Sequence, residues 1–389
     1  MGKNIGELIT LFLKLGTTSF GGPAAHIAMM EEEVVNRRRW LTRQHFLDLV
    51  GATNLIPGPN STEMAIHIGY IRGKLPGLIA AGLSFILPAV IITGILAWIY
   101  VTVGTLPQAT NFLFGIKPAV ISVILVAVVR LGKTAAKNVR LTVIGIAVAA
   151  VSLMGMNEVV ALLIGGIIGI VLYELIDRQK KSISGWLLPS FLQLPVLLTW
   201  SEAKAAASVS AAGIAGISLW KLGLFFLKIG SVLYGSGYVL VAFLEGELVK
   251  DYGWLTNQQL LDAIAIGQFT PGPVLSTATF VGYVLSGIPG ATVATAAIFL
   301  PSFLFVLVLN PVIPRLRASK VMSAFLDAIN VSAIGLMAAV VVSLAGRTLP
   351  DWRAIVIALI AAIAGIRFKL NNAWLILGGA VTGWFLRLI

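Results

Sequence analysis

Apolar residues occur along this chain in stretches of about 20, the length that crosses a bilayer, with polar residues gathered in the short gaps between them. In the first half the pattern predicts four full helical crossings, over residues 76–103, 112–130, 141–156 and 158–176. Two further apolar segments precede them, 5–35 and 44–70, broken by Gly22-Pro23 and by Pro57-Gly58-Pro59. Glycine and proline at such points interrupt a helix, so each segment is predicted to be a pair of re-entrant half-helices.

The pattern is written twice. Phe12-Leu13-Lys14-Leu15-Gly16 returns as Phe226-Leu227-Lys228-Ile229-Gly230, an offset of 226 − 12 = 214. At that offset Trp40-Leu41-Thr42 returns as Trp254-Leu255-Thr256, Asp48 as Asp262, and Pro57-Gly58-Pro59 as Pro271-Gly272-Pro273. After a one-residue slip the offset is 289 − 76 = 213, and Pro76-Gly77, Leu87-Pro88 and Gly165-Gly166 match Pro289-Gly290, Leu300-Pro301 and Gly378-Gly379. One register held this far marks a duplication. The expected organisation is an N-terminal repeat over 1–177, a linker over 178–217 and a C-terminal repeat over 218–389. Within the linker, 185–200 (GWLLPSFLQLPVLLTW) is apolar and supplies one additional crossing.

Charge decides how the copies are related. Arg37, Arg38, Arg39, Arg43, Arg72 and Lys74 have almost no basic counterparts in the second copy, where the Arg315, Arg317, Lys320 loop has none in the first. Equivalent loops carry opposite bias, which by the positive-inside rule places them on opposite sides of the membrane. The predicted fold is an all-α polytopic membrane protein of two inverted repeats, each with broken hairpins followed by four transmembrane helices. The N-terminus is expected in the cytoplasm and the C-terminus outside, in the inner (plasma) membrane of a prokaryote. Inverted repeats with discontinuous helices are the architecture of secondary transporters, with substrate bound where the halves meet.

Composition agrees: 58% of the 389 residues are hydrophobic and 11% charged, against about 25% charged in soluble domains. The net charge of +12 sits in short loops, a topology signal and not a nucleic-acid footprint. The absence of cysteine excludes disulfides, thiolate metal sites and cysteine catalysis. No cofactor, metal or catalytic residue is expected. The N-terminal MGKNIGELITLFLKLG lacks an A-x-A-like cleavage site and is read as retained.

The first copy holds Ser19-Phe20-Gly21-Gly22-Pro23 with His26, Trp40-Leu41, Pro57-Gly58-Pro59-Asn60-Ser61-Thr62-Glu63 and Gly69-Tyr70. The second holds Tyr234-Gly235-Ser236-Gly237, Trp254-Leu255-Thr256, Pro271-Gly272-Pro273 and Gly282-Tyr283. Together these resemble the chromate ion transporter family in its long, two-domain form, over nearly the whole chain outside the linker. The resemblance implies export of chromate and chromate resistance, with sulfate as the look-alike substrate. The second copy departs from the pattern in Gly235-Ser236-Gly237 and in Val274-Leu275-Ser276-Thr277, so an asymmetric site is expected.

A tetrahedral dianion needs hydrogen-bond donors and positive potential, and helix N-termini supply both. Breaks at Gly21, Gly22 and Pro23, at Pro57, Gly58 and Pro59, at Gly235, Ser236 and Gly237, and at Pro271, Gly272 and Pro273 would create four such termini. Asn60, Ser61, Thr62, Thr270, Ser276 and Thr277 add neutral hydrogen-bonding groups. The competing reading is that these glycines and prolines are kinks and packing points, the role given to Gly165 and Gly378. Lys14 and Lys228, duplicated inside apolar runs, are candidate anion-facing cations, as is Lys117. Glu63 and His67, spaced i, i+4 on one helical face, are candidates for carrying a coupling proton, and His26 is a candidate gate or proton group; an internal ion pair is the alternative for Glu63 and polar packing for His26. Asp48 and Asp262 are expected to cap helices or pair with arginines.

The expected function is a secondary chromate exporter working by alternating access and coupled to protons. A sulfate or other oxyanion carrier and an anion channel are the alternatives, and assembly as a homodimer is left open. An intramembrane enzyme has no motif to support it.

Overall fold

The computed structural model describes residues 2–20, 22–103, 107–180, 217–234, 237–309, 319–349 and 351–388, and every regular element among them is helical. The expected crossing at 185–200 and the Arg315–Arg317 loop lie outside the described residues.

In the first copy, helix Gly2–Thr18 ends before the Gly22-Pro23 break, and helix Pro23–Glu31 continues as a π-helical turn to Arg37. Helix Arg43–Thr53 then runs to the Pro57-Gly58-Pro59 break, after which Asn60–Val103 begins. That last element is two helices. At Gly73 and Lys74 the backbone leaves the helical region, with Lys74 at φ 54°. The chain folds back there, so that Gly69 lies against Gly77 and Ala81, and Gly82 against Ile66. A side chain at Gly69 would collide with the Gly77 carbonyl, and this close approach makes the hairpin tight. The crossings follow as Pro107–Ala135, Val139–Leu153 and Glu158–Lys180. Helices stand at all four predicted crossings with ends shifted by a few residues; Val139–Leu153, at 15 residues, is the short one.

The half-helices return to the side they start from. Arg72, at the end of the stretch opened by Asn60, lies 3.6 Å from Glu7 and stacks 4.8 Å from the Trp40 ring centre. The interior ends reach Phe85 and Pro88, against which Gly16 packs. Those residues lie about 16–21 Å along the helix from the turn at Lys74 at 1.5 Å per residue, near the middle of a hydrocarbon layer about 30 Å thick. The hairpins are re-entrant.

Helix starts follow local sequence. Thr42 and Thr256, the third residues of the duplicated Trp-Leu-Thr element, are N-caps: each accepts the backbone N–H three residues on, and Gln259 completes a capping box. Asp48 and Asp262 are therefore not the caps. Asp48 accepts from Gln44, and Asp262 accepts from Gln258 and from Tyr100 at 2.9 Å.

The second copy repeats the order with helices Leu219–Val232, Leu240–Phe243, Asn257–Phe269 and Thr277–Leu309, the last folded back at Ser286 and Gly287. Helices Lys320–Thr348, Trp352–Arg367 and Asn372–Leu388 complete it. Equivalent helices run antiparallel. Gly82 abuts Phe303, whereas Tyr100, further along the same helix, meets Phe280 at 5.1 Å. Phe280 lies beside Thr279, which is hydrogen-bonded to Thr295, eight residues before Phe303. The two copies are thus inverted with respect to each other.

The later helices interlock. Pro107–Ala135 packs on Trp352–Arg367 and Asn372–Leu388, and Lys320–Thr348 packs on Val139–Leu153 and Glu158–Lys180. Ser122 donates to the Ala358 carbonyl at 2.7 Å and Gly335 lies on the Gly145 carbonyl. Gly165 sits against Ser332, as a packing glycine should, but nothing approaches Gly378; its neighbour Gly379 is the one that packs, against Ala119 and Gly115. The result is two bodies, a core of broken helices (2–103 and 217–309) and a scaffold of interlocked crossings (107–180 and 319–388).

Candidate functional site

A broken helix leaves backbone N–H and C=O groups that hydrocarbon cannot satisfy. Here each copy satisfies the other's. The Gly58 N–H donates to the Leu233 carbonyl at 2.6 Å, and the Gly272 N–H donates to the Ser19 carbonyl at 2.9 Å. Gly272 is the repeat-mate of Gly58 and Leu233 of Ser19, both at the 214 offset, so this is one contact made twice about a pseudo-twofold axis. Both glycines have positive φ, 146° and 89°, and a side chain at Gly58 would strike Glu63 and Ser302. All four breaks converge at this point, with Pro57, Pro59, Pro271 and Pro273 buried around it.

Behind the Pro57-Gly58-Pro59 break lies a polar cluster. Glu63 is fully buried and neither carboxyl oxygen has a hydrogen-bond partner among the described residues. The same holds for Thr62 Oγ1, His67 Nε2 and Ser302 Oγ. Buried polar atoms are normally satisfied, so this group of orphans is a candidate site for a proton or ligand. The equivalent region of the other break holds hydroxyls only: Thr93 donates to Ser276 at 3.2 Å and to Thr270 at 3.4 Å. Ser302 is replaced there by Ala89. The site is asymmetric.

A cavity of about 630 Å³ opens between the first copy's hairpins and the scaffold. Its wall includes Pro23 and Asn60, the first residues of their helices, together with Asn54, Tyr238, Asn372 and Arg130. Helix dipoles thus contribute positive potential at two points. Asn372 donates to the Tyr238 hydroxyl at 2.6 Å and to Gln268 at 2.8 Å. Lys137 and Asp327 pair at 2.7 Å towards the mouth. Helix Pro107–Ala135 returns from the far side of the preceding crossing, so this mouth lies on the side of Arg72 and Lys74. On the opposite side the seam is shut. Ser343 donates to Glu245 at 2.8 Å, Lys250 pairs with Glu245 at 2.7 Å, and Glu158 lies on Gly246.

Of the residues singled out from sequence, Gly22, Pro23, Asn60, Ser61, Thr62, Glu63, His67, Thr270, Gly272 and Ser276 are at or beside the breaks, and Gly237 opens the 3-10 turn Gly237–Val239. Gly21, Gly235 and Ser236 lie outside the described residues. His26 is buried, its Nε2 3.2 Å from the Ser19 carbonyl and its ring edge-on to Phe85. Lys117 lies within electrostatic reach of Asp262 on the closed side.

Lys14 and Lys228 are used differently from expectation. Lys14 bonds Glu33 at 2.9 Å, and Lys228 bonds Glu247, the repeat-mate of Glu33. Their side chains are 55% and 41% exposed on the flanks of the hairpins while the glutamates are buried. The duplication of the lysines therefore records a duplicated ion pair. Glu33 and Glu247 share the 214 offset with them, the signal that would have revealed it. Arg130, Tyr238, Asn372, Thr93 and Ser302 carry no motif, and position in the fold alone brings them to the cavity and breaks.

A family model described as chromate transporter matches residues 6–170 and again 220–384. The chain is 32% identical to the chromate transport protein of Cupriavidus metallidurans, covering 97% of this chain and 92% of that one. It is 31% identical to the chromate transport protein of Pseudomonas aeruginosa, over 97% of this chain and 91% of that one. An uncharacterized transporter of Methanocaldococcus jannaschii is 28% identical, over 96% and 92%. No solved structure matches significantly.

The lysine pairing has a measurable consequence. Glu33 keeps Arg38 at 3.3 Å and Arg37 at 3.4 Å when Lys14 is lost, so Lys14→Ala should cost no more than about 1 kcal/mol, as for an exposed pair. Glu247 is 2% exposed, and Lys228→Ala should lower the thermal unfolding temperature in detergent by the larger amount. Equal shifts would show that the two pairs are not in different settings.

Proposed function

Because the chain belongs to the chromate transporter family, a family of transporters and not of enzymes, we propose that it exports chromate from the cytoplasm by alternating access, coupled to proton entry. The observation that carries this reading is the convergence of the broken helices, beside a cavity whose opposite side is shut among the described residues. The basic clusters at Arg37–Arg39, Arg43, Arg72 and Lys74 favour the cytoplasm for that side, with the N-terminus inside and the C-terminus outside. We take 1–177 and 218–389 as the duplicated units. The cavity wall offers what a dianion needs: helix N-termini at Pro23 and Asn60, amide groups and net positive charge. Glu63, buried and without a hydrogen-bond partner among the described residues, with His67 on the same helix face, suits the role of proton carrier. Chromate and sulfate share shape and charge, so sulfate is the natural competitor.

Inside-out vesicles test this. Their lumen corresponds to the exterior, so chromate should accumulate in it, faster when the lumen is acidic, and sulfate should compete. Absence of chromate movement, with the protein shown to be in the membrane, removes the chromate reading; channel-like flux removes alternating access. Glu63→Gln should abolish the stimulation by the pH gradient while chromate–chromate exchange persists. A variant that still responds to the gradient excludes Glu63 as the carrier.

Inverted repeats also forecast the other conformation, in which each copy adopts the arrangement of its mate. The closed-side contact Ser343–Glu245 maps onto Arg130–Glu31, through 343 − 213 = 130 and 245 − 214 = 31. Glu31 now faces Arg43 at 3.5 Å. When the cavity closes, Glu31 should meet Arg130. The chain has no cysteine, so a Glu31→Cys, Arg130→Cys pair can be probed with a short bifunctional thiol reagent in membranes. Cross-linking in membranes is expected; a pair that never cross-links argues against the exchange.

A further inference from the structure

Among the described residues the cavity contains one cation without a carboxylate partner. Arg130 lies near the end of helix Pro107–Ala135, exposed into the cavity. One of its N–H groups is fixed: Nη2 donates to the Gly365 carbonyl at 2.6 Å, in the last turn of helix Trp352–Arg367. A guanidinium has five N–H donors in a planar fork, so the remainder stay available while the group is held in position. No carboxylate among the described residues pairs with it. The cavity's own acid, Asp327, is taken by Lys137. Tyr238 lies within electrostatic reach of Arg130, and its hydroxyl is 3.3 Å from the position a Cβ would take on Gly22, at the start of helix Pro23–Glu31. Arg130 and the N-terminus of helix Pro23–Glu31 thus line the same cavity, with Tyr238 beside both.

The repeat adds an independent observation. Arg130 corresponds to Ser343, an uncharged residue already bonded to Glu245 in the shut seam. At this repeat position the open half of the seam carries a positive charge and the closed half a hydroxyl. Charged residues within membrane segments face water-filled cavities and mark substrate pathways, and Arg130 faces one. Arginine, unlike lysine, matches two oxygens of an oxyanion at once.

We infer that Arg130 binds the oxyanion in the open cavity through a two-point contact and sets the preference for tetrahedral dianions, with the N-terminus of helix Pro23–Glu31 facing it. This rests on the transport reading above. It adds to that reading a residue no motif marks. It also gives Arg130 two partners in turn: the anion while the cavity is open and Glu31 once it has closed.

Chromate uptake by inside-out vesicles is compared for the wild type, Arg130→Gln, Arg130→Lys and Lys137→Gln. Losing a charge-assisted two-point contact should raise the KM of Arg130→Gln about 10–100-fold, with maximal rate changed far less. Arg130→Lys should recover part of that loss. Lys137→Gln removes equal charge from the same cavity and should shift KM much less. An unchanged KM in Arg130→Gln, or an equal rise in Lys137→Gln, overturns the assignment. Sulfate binding to the purified proteins, followed by calorimetry, reads Arg130 without transport and covers a variant too slow to assay. Wild type that binds sulfate more tightly than Arg130→Gln supports the assignment even if chromate is not moved, and equal affinities overturn it.

Discussion

The structure depends on a backbone problem and its reciprocal solution. A helix broken inside a membrane exposes N–H and C=O groups with no water to receive them. The bonds from Gly58 to Leu233 and from Gly272 to Ser19 each use a break in one copy to satisfy a break in the other. Neither half can complete its own interior. That explains why the breaks fall in matched positions, why the tips of all four hairpins meet, and why glycine with positive φ stands at both contact points. It also explains why the scaffold crossings interlock: once the tips are joined at the centre, the remaining helices of each copy must pack across the other's.

Symmetry at the centre coexists with asymmetry around it. The hairpins of the second copy are packed against the scaffold through Glu245, Glu158, Gln268 and Asn372, whereas a cavity separates those of the first copy from it. Two chemically similar halves held in different arrangements are what an alternating mechanism requires. The difference is not only conformational. Glu63 and Ser302 give one break a titratable cluster, while Thr93, Thr270 and Ser276 give the other a set of hydroxyls. A duplicated fold has one acidic and one neutral face, and in the proposed mechanism this separates proton from anion handling within a single centre.

Much of this was legible in the sequence. Offsets of 214 and 213, with the opposed charge bias of equivalent loops, led to inverted repeats, and the glycine–proline breaks led to re-entrant hairpins. What escaped depended on side-chain direction. Lys14 and Lys228 sit in apolar runs, and hydropathy cannot say that each has a glutamate waiting on the next half-helix, 19 residues on. Asp48 and Asp262 follow a capping element, but the caps are Thr42 and Thr256. Arg130 closes an apolar helix and reads as an ordinary boundary residue. Only the fold shows that it faces the same cavity as Pro23 and Asn60.

The correction to the lysines bears on how a carrier must hold a dianion. Two fixed lysines at the centre, unpaired in a medium of low dielectric, would bind the anion strongly and release it slowly, because the attraction is screened by little else. Here those lysines are neutralised by Glu33 and Glu247, and the potential left at the cavity comes from helix termini, amide groups and one arginine. Helix termini contribute partial charges, and in the proposed mechanism Arg130 exchanges the anion for Glu31 as the cavity closes and so loses its hold when release is needed. Affinity becomes tied to conformation instead of being fixed in the site, as a transporter needs if the substrate it captures on one side is to leave on the other.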